Sequence, residues 1–273
     1  MHRWSVGDID VVRVEDSAFA LPTSDALPEW MVPAFAPSRN EVSLAFSALA
    51  VRVGDTRIVV DPWLADDGPR GRRGAAEHAA RVFAELAAAG FAPDDVDLVV
   101  NSHFDGVGWN TRPSAAGGWE PTFPNARYLY VDAELAAMRR GDVIGGEPIG
   151  DVTLLDPLLA AGLLDEIALP HSLVPGVELV DAPGHNPGHA AVRLADGGDL
   201  AVIPGHLVLS PWQVHDPAVD LGDTDPALAT ATRRAILGEL ADRGGLLLTT
   251  LVGGPGGGRV HRRTDGDGFR LEA

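Results

Sequence analysis

Apolar and polar positions alternate in short bursts along this chain. Strand-like runs occupy Ile9 to Val14, Leu44 to Val53, Arg57 to Asp61, Asp97 to Asn101, Arg127 to Tyr130, Glu178 to Asp181, Ala190 to Leu194, Leu200 to Ile203, Leu246 to Thr250 and Phe269 to Leu271. They are rich in Val, Leu and Ile and end at Gly, Asp or Pro, the signature of strands closed by turns. Helical spacing appears between them. From Ala75 to Ala89, Ala79, Val82, Phe83, Leu86 and Ala89 share one face, with Gly90 as the stop and Pro93 preventing resumption. A second helix is announced by Asp225 as N-cap and Pro226 at its first position, with Leu228, Ala235, Ile236 and Leu240 directed at the core and Gly244-Gly245 ending it. Asp132 and Asp156 read as further caps. Many strands are joined too closely for helical crossovers, so the α/β fold has mixed sheets.

Composition narrows the function. With 273 residues the chain can bury a full core as one domain, residues 1–273, and no repeat or solvated linker divides it. The Pro-rich stretch from Leu21 to Pro37 holds Trp30, Met31 and Phe35 and is too apolar for a tether; it reads as a packed arm or lid, or a loop covering a sheet edge, and makes a homodimer conceivable. The net charge of −18 argues against nucleic acid and against an anionic membrane as partners. Absence of cysteine removes disulfides and thiolate metal sites. Charges in the first residues and the lack of a long apolar run point to a soluble, cytoplasmic protein with a small-molecule substrate.

Candidate chemistry lies in two Gly-rich turns that follow strands. One is Asn101-Ser102-His103-Phe104-Asp105-Gly106-Val107-Gly108-Trp109-Asn110; the other is Pro183-Gly184-His185-Asn186-Pro187-Gly188-His189. Strand ends hold side chains rigidly against an open cleft. With Asp61 at the end of its strand, Phe123 to Arg127, and Pro211 to Val214, these stretches make the sequence resemble the metallo-β-lactamase superfamily. The resemblance spans nearly the whole chain. It implies an αββα sandwich, two mixed β-sheets flanked by helices, with hydrolytic chemistry at one sheet edge.

The family's ligand pattern, His-x-His-x-Asp-His and then Gly-His, an Asp and a final His, is only partly matched. The resemblance places Asn101 at the first His, His103 and Asp105 at matching positions, Gly106 at the last His of the motif, His189 at the next ligand, His206 at the bridging Asp and Leu251 at the final His. A two-metal centre is therefore not expected, because glycine and leucine offer no coordinating side chain. Two enzyme readings remain, of which the metal-free one leads and a single zinc ion is the alternative. In one, no cofactor is bound, and Asp105 with His103 or His206 moves protons, aided by His189 and by Asn101 as an oxyanion donor, in a hydrolase, lyase, cyclase or isomerase. In the other, a single Zn is held by His103, His189 and His206. Either way Gly106 and Leu251 open an apolar space, and Trp109 and Trp212 line it, for an ester, lactone or thioester. A non-catalytic binding protein is the third reading. His185 is assigned to its turn, Asp61 to support of the His103 loop, His2, His78, His171, His215 and His261 to no site, Trp63 to the neighbourhood of a motif, and the glycines from Gly253 to Gly258 to a flexible connection.

Overall fold

The structure, a computed structural model, describes residues 1–62, 75–104, 108–144, 147–148 and 152–273. The first sheet is seven-stranded. It contains β1 (His2–Val6), β2 (Ile9–Pro22), β3 (Glu41–Val53), β4 (Thr56–Val60) and β5 (Leu98–Val100). After the hairpin of β6 (Thr111–Pro113) and β7 (Trp119–Pro121) comes β8 (Arg127–Val131), and after the small pair β9 (Val143–Ile144) and β10 (Glu147–Pro148) comes β11 (Leu164–Ile167). The order is β1-β2-β3-β4-β5-β8-β11, antiparallel as far as β4 and parallel from β4 onward. A second seven-stranded sheet follows in chain order. Its strands are β12 (His171–Val174), β13 (Val177–Asp181), β14 (Ala190–Asp196), β15 (Asp199–Ile203), β16 (Leu246–Leu248), β17 (Gly257–Arg262) and β18 (Phe269–Glu272). Only β15 and β16 pair in parallel there, because α5 connects them.

Period-2 alternation explains the layering. Odd-numbered residues Val11, Leu49 and Val51 of the first sheet face Val177, Leu179 and Ala201 of the second, forming a core between the sheets. Their neighbours of opposite parity, Val12, Val14, Ala48 and Ala50, turn outward beneath α1 (Ala75–Ala88), α2 (Asp132–Arg140) and α3 (Asp156–Ala160). On the far side, Leu200, Val202 and Leu247 meet α4 (Pro211–His215) and α5 (Pro226–Arg243). Strands apolar at both parities must be covered twice, and the four-layer αββα sandwich is the result. No described helix is long and apolar enough to cross a membrane.

Several local expectations are corrected. Asp225 does cap α5, accepting from Leu228 N at 3.0 Å, and Gly244 ends it in the left-handed region. The buried face, however, is Ala229, Arg233, Leu237 and Leu240, while Leu228 is 42% exposed and Ala235 is exposed. A charged residue in the middle of the inner stripe conceals it from a hydrophobic reading. Asp132 and Asp156 are the first residues of their helices, behind Val131 and Leu155, which provide no side-chain cap. β2 runs on past Val14 to Pro22 because, after a bulge between Glu15 and Ser17, it keeps pairing with β3. The short β1, β11, β12 and β17 escaped the pattern entirely. In the segment from Leu21 to Pro37, Leu27, Met31 and Phe35 are buried in the layer that holds α5.

The glycine run is a packed junction, contrary to the expectation of a flexible connection. Gly253 N donates to Ser43 O at 3.0 Å, Ala45 N to Leu251 O at 2.8 Å, and the buried Arg13 donates to the carbonyls of Val252 and Gly254 at 2.9 and 2.8 Å. Gly254 has φ +64°, and a Cβ there would lie 1.9 Å from Ala34 O. Gly254→Ala is therefore expected to combine left-handed strain of about 1–2 kcal/mol with overpacking of about 1–3 kcal/mol. Gly54→Ala, with φ +57° and nothing within 4 Å, carries only the strain. Chemical denaturation of both variants measures the difference; equal losses would contradict the packed junction.

Candidate active site

Asp61, the Asn101–His103 segment, His206 and Leu251 each lie just beyond the carboxyl end of a strand in a parallel pair: β4, β5, β15 and β16 respectively. This is the edge of an α/β sheet at which loops converge and ligands bind. His185 and His189 come from the β13–β14 turn, which Ala190 N ties to Ser102 O at 2.8 Å. Gly205 brings the His206 turn close: its φ is +55°, and a Cβ would sit 2.3 Å from Ser102 Oγ and 3.0 Å from His189 Nε2.

The result is a cluster of imidazoles. Ring centroids of His103 lie 4.3 Å from His206, 5.0 Å from His189 and 5.3 Å from His185. One nitrogen from each of His103, His185 and His206 lies within 4.8 Å of the others. The histidine that joins His103 and His206 in this group is His185, whereas the resemblance pointed to His189. Spacing within Pro-Gly-His-Asn-Pro-Gly-His does not separate the two. What does is Asp223, 38 residues onward, whose Oδ1 lies 3.1 Å from His185 Nδ1. His189 packs behind, wholly buried, with neither ring nitrogen in a hydrogen bond of ordinary geometry.

Outer partners orient the rings. Asp61 accepts from Ser102 N at 2.7 Å and from Ser102 Oγ at 2.9 Å, and Ser102 Oγ lies 3.0 Å from His103 Nδ1. Since the Ser102 proton goes to Asp61, the hydroxyl accepts from His103; the ring proton is thereby assigned to Nδ1 and Nε2 keeps its lone pair. Asp223 assigns His185 in the same way. Asp61 has φ 51°, the one left-handed non-glycine among the described residues, and this strained backbone turns its carboxylate under Ser102. Burial, and then the neighbouring imidazoles, hold the pKa values of His103 and His206 well below 6.5. Burial and His185 lower His189 to about 3, outweighing the Ala182 backbone and Asp223. For Asp223, burial acts upward, but hydrogen bonds from His185 and Arg233 reverse it and leave the carboxyl below its ordinary value.

Beside the imidazoles is a cavity of about 610 Å³, with His185 and His206 in its wall. The rest is mostly apolar, with Leu21, Val42, Leu44 and Phe46 from β2 and β3, Trp212 from α4, and Leu221 and Leu251, interrupted by Thr23 and Ser210; no Asp, Glu, Lys or Arg lines it among the described residues. Trp212 and Leu251 thus stand where a substrate pocket was expected. Trp109 does not line it; it is buried behind Phe46, edge-on to Phe83 at 5.5 Å. Asn101 exchanges two amide hydrogen bonds with Asn110, at 2.9 and 3.3 Å, which commits its carboxamide to closing the loop. Asp105 and Gly106, like Trp63, lie outside the described residues. A larger cavity of about 830 Å³ between Trp30, His215 and Arg263 lies away from the cluster, and its Arg262 and Arg263 are paired with Asp242 and Asp265. The residues missed in the sequence were His185, Asp223 and Arg233. The Gly184-His185 pair was the available signal for the first; none marked the others.

No family model and no curated protein matches the sequence. Solved structures do. The chain is similar to the hydrolase AbOPH of the beta lactamase superfamily, with TM-score 0.78 and 20% identity over 99% of this chain and 96% of that one. It is similar to AidC, a dizinc quorum-quenching lactonase, with TM-score 0.73 and 20% identity over 99% and 97%. A probable metal-dependent hydrolase from Staphylococcus aureus follows at TM-score 0.69 and 15% identity over 98% and 99%. The likeness is one of fold, and the chain has the metallo-β-lactamase fold.

The lowered pKa values set a stability-versus-pH dependence for the protein held in chelator. Below about pH 6.5 the unfolded chain takes up protons on these histidines that the folded chain refuses, so stability falls as pH falls. Each fully engaged ring contributes about 1.4 kcal/mol per pH unit. Urea midpoints should therefore drop from about pH 7 to about pH 5, less steeply in His189→Gln. Midpoints independent of pH would show that the rings are protonated when folded.

Proposed function

We propose that this protein is a hydrolase of neutral esters, lactones or thioesters with a single zinc-class ion held by His103, His185 and His206. The observation that carries the reading is the convergence of three buried imidazole nitrogens within 4.8 Å. The donor set fits: neutral imidazoles suit zinc, and hydrogen bonds at Nδ1 of His103 and His185 leave Nε2 of each ring to coordinate. Such an ion, when bound, supplies Lewis acidity and lowers the pKa of water. The chain's own residues do the rest. Ser102, Asp61 and Asp223 hold the rings in one tautomer. Trp212, Leu44 and Leu251 bind the apolar part of the substrate and keep water from it, and the described lining, which carries no charged side chain, favours neutral substrates. AidC, the lactonase among the similar structures, supports a lactone as the scissile group.

Metal-independent acid/base chemistry has less support. A general base works best with a pKa near the operating pH, whereas burial holds His103 and His206 well below 6.5 and His189 at about 3; Asp105, the other base of that reading, lies outside the described residues.

Elemental analysis is expected to give one ion per chain, and chelation to abolish ester hydrolysis until the ion is restored. His185→Ala should lower ion content and reduce kcat/KM by at least about 100-fold. Trp212→Ala should instead raise KM for long-tailed esters about tenfold, a loss of about 1.4 kcal/mol of tail binding, with kcat nearly unchanged. Two ions per chain, or full turnover after complete metal removal, would overturn the proposal.

A further inference from the structure

The geometry points to Arg233 as a positioning residue that sets the spacing of His185 and His206 and so the ion affinity of the site. The inference rests on the three-histidine reading above. Arg233 lies on α5, makes no hydrogen bond to an imidazole among the described residues, and is fully buried. Its guanidinium donates to four acceptors: Pro217 O at 2.8 Å through Nε, Leu207 O at 3.1 Å through Nη1, and Val219 O at 3.3 Å and Asp223 Oδ2 at 2.8 Å through Nη2. Three of these lead to the site. Leu207 follows His206 in the same turn; Asp223 holds His185 Nδ1; Val219 lines the cavity.

A planar fork with fixed N–H directions fixes the relative positions of what it binds. Here it joins the turn of one ligand to the carboxylate that orients another, from a helix capped at both ends by Asp225 and Gly244. The His185 loop is further tied to the start of this helix by Thr224 N to His185 O at 3.0 Å and Asp225 N to Gly184 O at 2.9 Å. A buried pair of this kind is weak evidence for stability in itself. The direction of its bonds, toward two ligand-bearing loops, is what marks it as a template. Lysine keeps the charge but, as a point donor, cannot span Leu207, Val219 and Asp223 together.

The test is titration of metal-free protein with zinc against a chromophoric chelator, on wild type, Arg233→Lys, Asp223→Ala and Asp242→Asn. Ring ¹⁵N NMR of His185 and thermal unfolding of the metal-free forms accompany it. Arg233→Lys and Asp223→Ala are expected to weaken zinc binding about 10–100-fold in the folded protein, and Asp223→Ala to release His185 from the Nδ1–H tautomer. Asp242, in an exposed ion pair on the same helix, should leave affinity unchanged when replaced. If Arg233→Lys fails to fold, Arg233→Gln, a shorter neutral donor, takes its place. Unchanged affinity in the folded Arg233 variant, with one zinc bound by wild type, would overturn the role of Arg233 alone. No zinc bound by wild type would overturn the three-histidine reading itself.

Discussion

Packing His103, His189 and His206 ring against ring below the surface favours their uncharged forms, and much of the site follows from that constraint. Desolvation and mutual repulsion both oppose protonation, which is why His103 and His206 sit far below their ordinary pKa. A neutral ring has one N–H and one lone pair. Burial favours an acceptor for the N–H. Around His103 that acceptor is Ser102, itself turned toward Asp61; around His185 it is Asp223. With the protons committed to Nδ1 in this way, the lone pairs of these two rings lie at Nε2. A set of unprotonated ring nitrogens is thus the electrostatic outcome of burying histidines beside carboxylates, and a cation is the species it suits.

The fold supplies this arrangement because both sheets contribute parallel pairs whose carboxyl ends open at one edge. Asp61 and His103 come from the first sheet, His206 and Leu251 from the second, so the cluster spans the seam between them. The seam is fastened locally. Arg13, buried on β2, grips the carbonyls of Val252 and Gly254, and β3 pairs with the segment around Leu251. The cavity wall formed by Leu44 and Leu251 therefore belongs to one hydrogen-bonded unit, although its halves come from different sheets.

Much of this was legible in the sequence. The strand runs at Ile9, Arg57, Ala190 and Leu200, the Asp225 cap, and the clustering of His103 and His206 follow from periodicity, turn chemistry and the family resemblance. What escaped notice shares one cause: the decisive partner is remote in the chain or of the wrong hydrophobic class. Arg233 adds nothing to a hydrophobic stripe, and its partners, the carbonyls of Pro217, Leu207 and Val219, lie outside the helix, so hydrophobic spacing places the inner face of α5 on Leu228 and Ala235 instead. His185 and His189 are equivalent by spacing, and only Asp223 distinguishes them. The glycines after Leu251 look like slack because their contacts with Ala34, Ser43 and Arg13 are all long-range.

On the one-ion reading, the loss of coordinating groups and the gain of an apolar pocket are the same change seen twice. Leu251, at the position where the resemblance would put a further histidine, contributes no lone pair and instead continues the surface of Val42, Leu44 and Trp212. A second cation against that surface would surrender hydration without gaining a ligand from it, at a cost far above that of burying a neutral group. A neutral acyl chain meets the opposite balance, since each buried CH₂ contributes about 0.8 kcal/mol. On that reading, a wall that offers no ligand to another ion also favours a substrate whose carbonyl can be carried to the first.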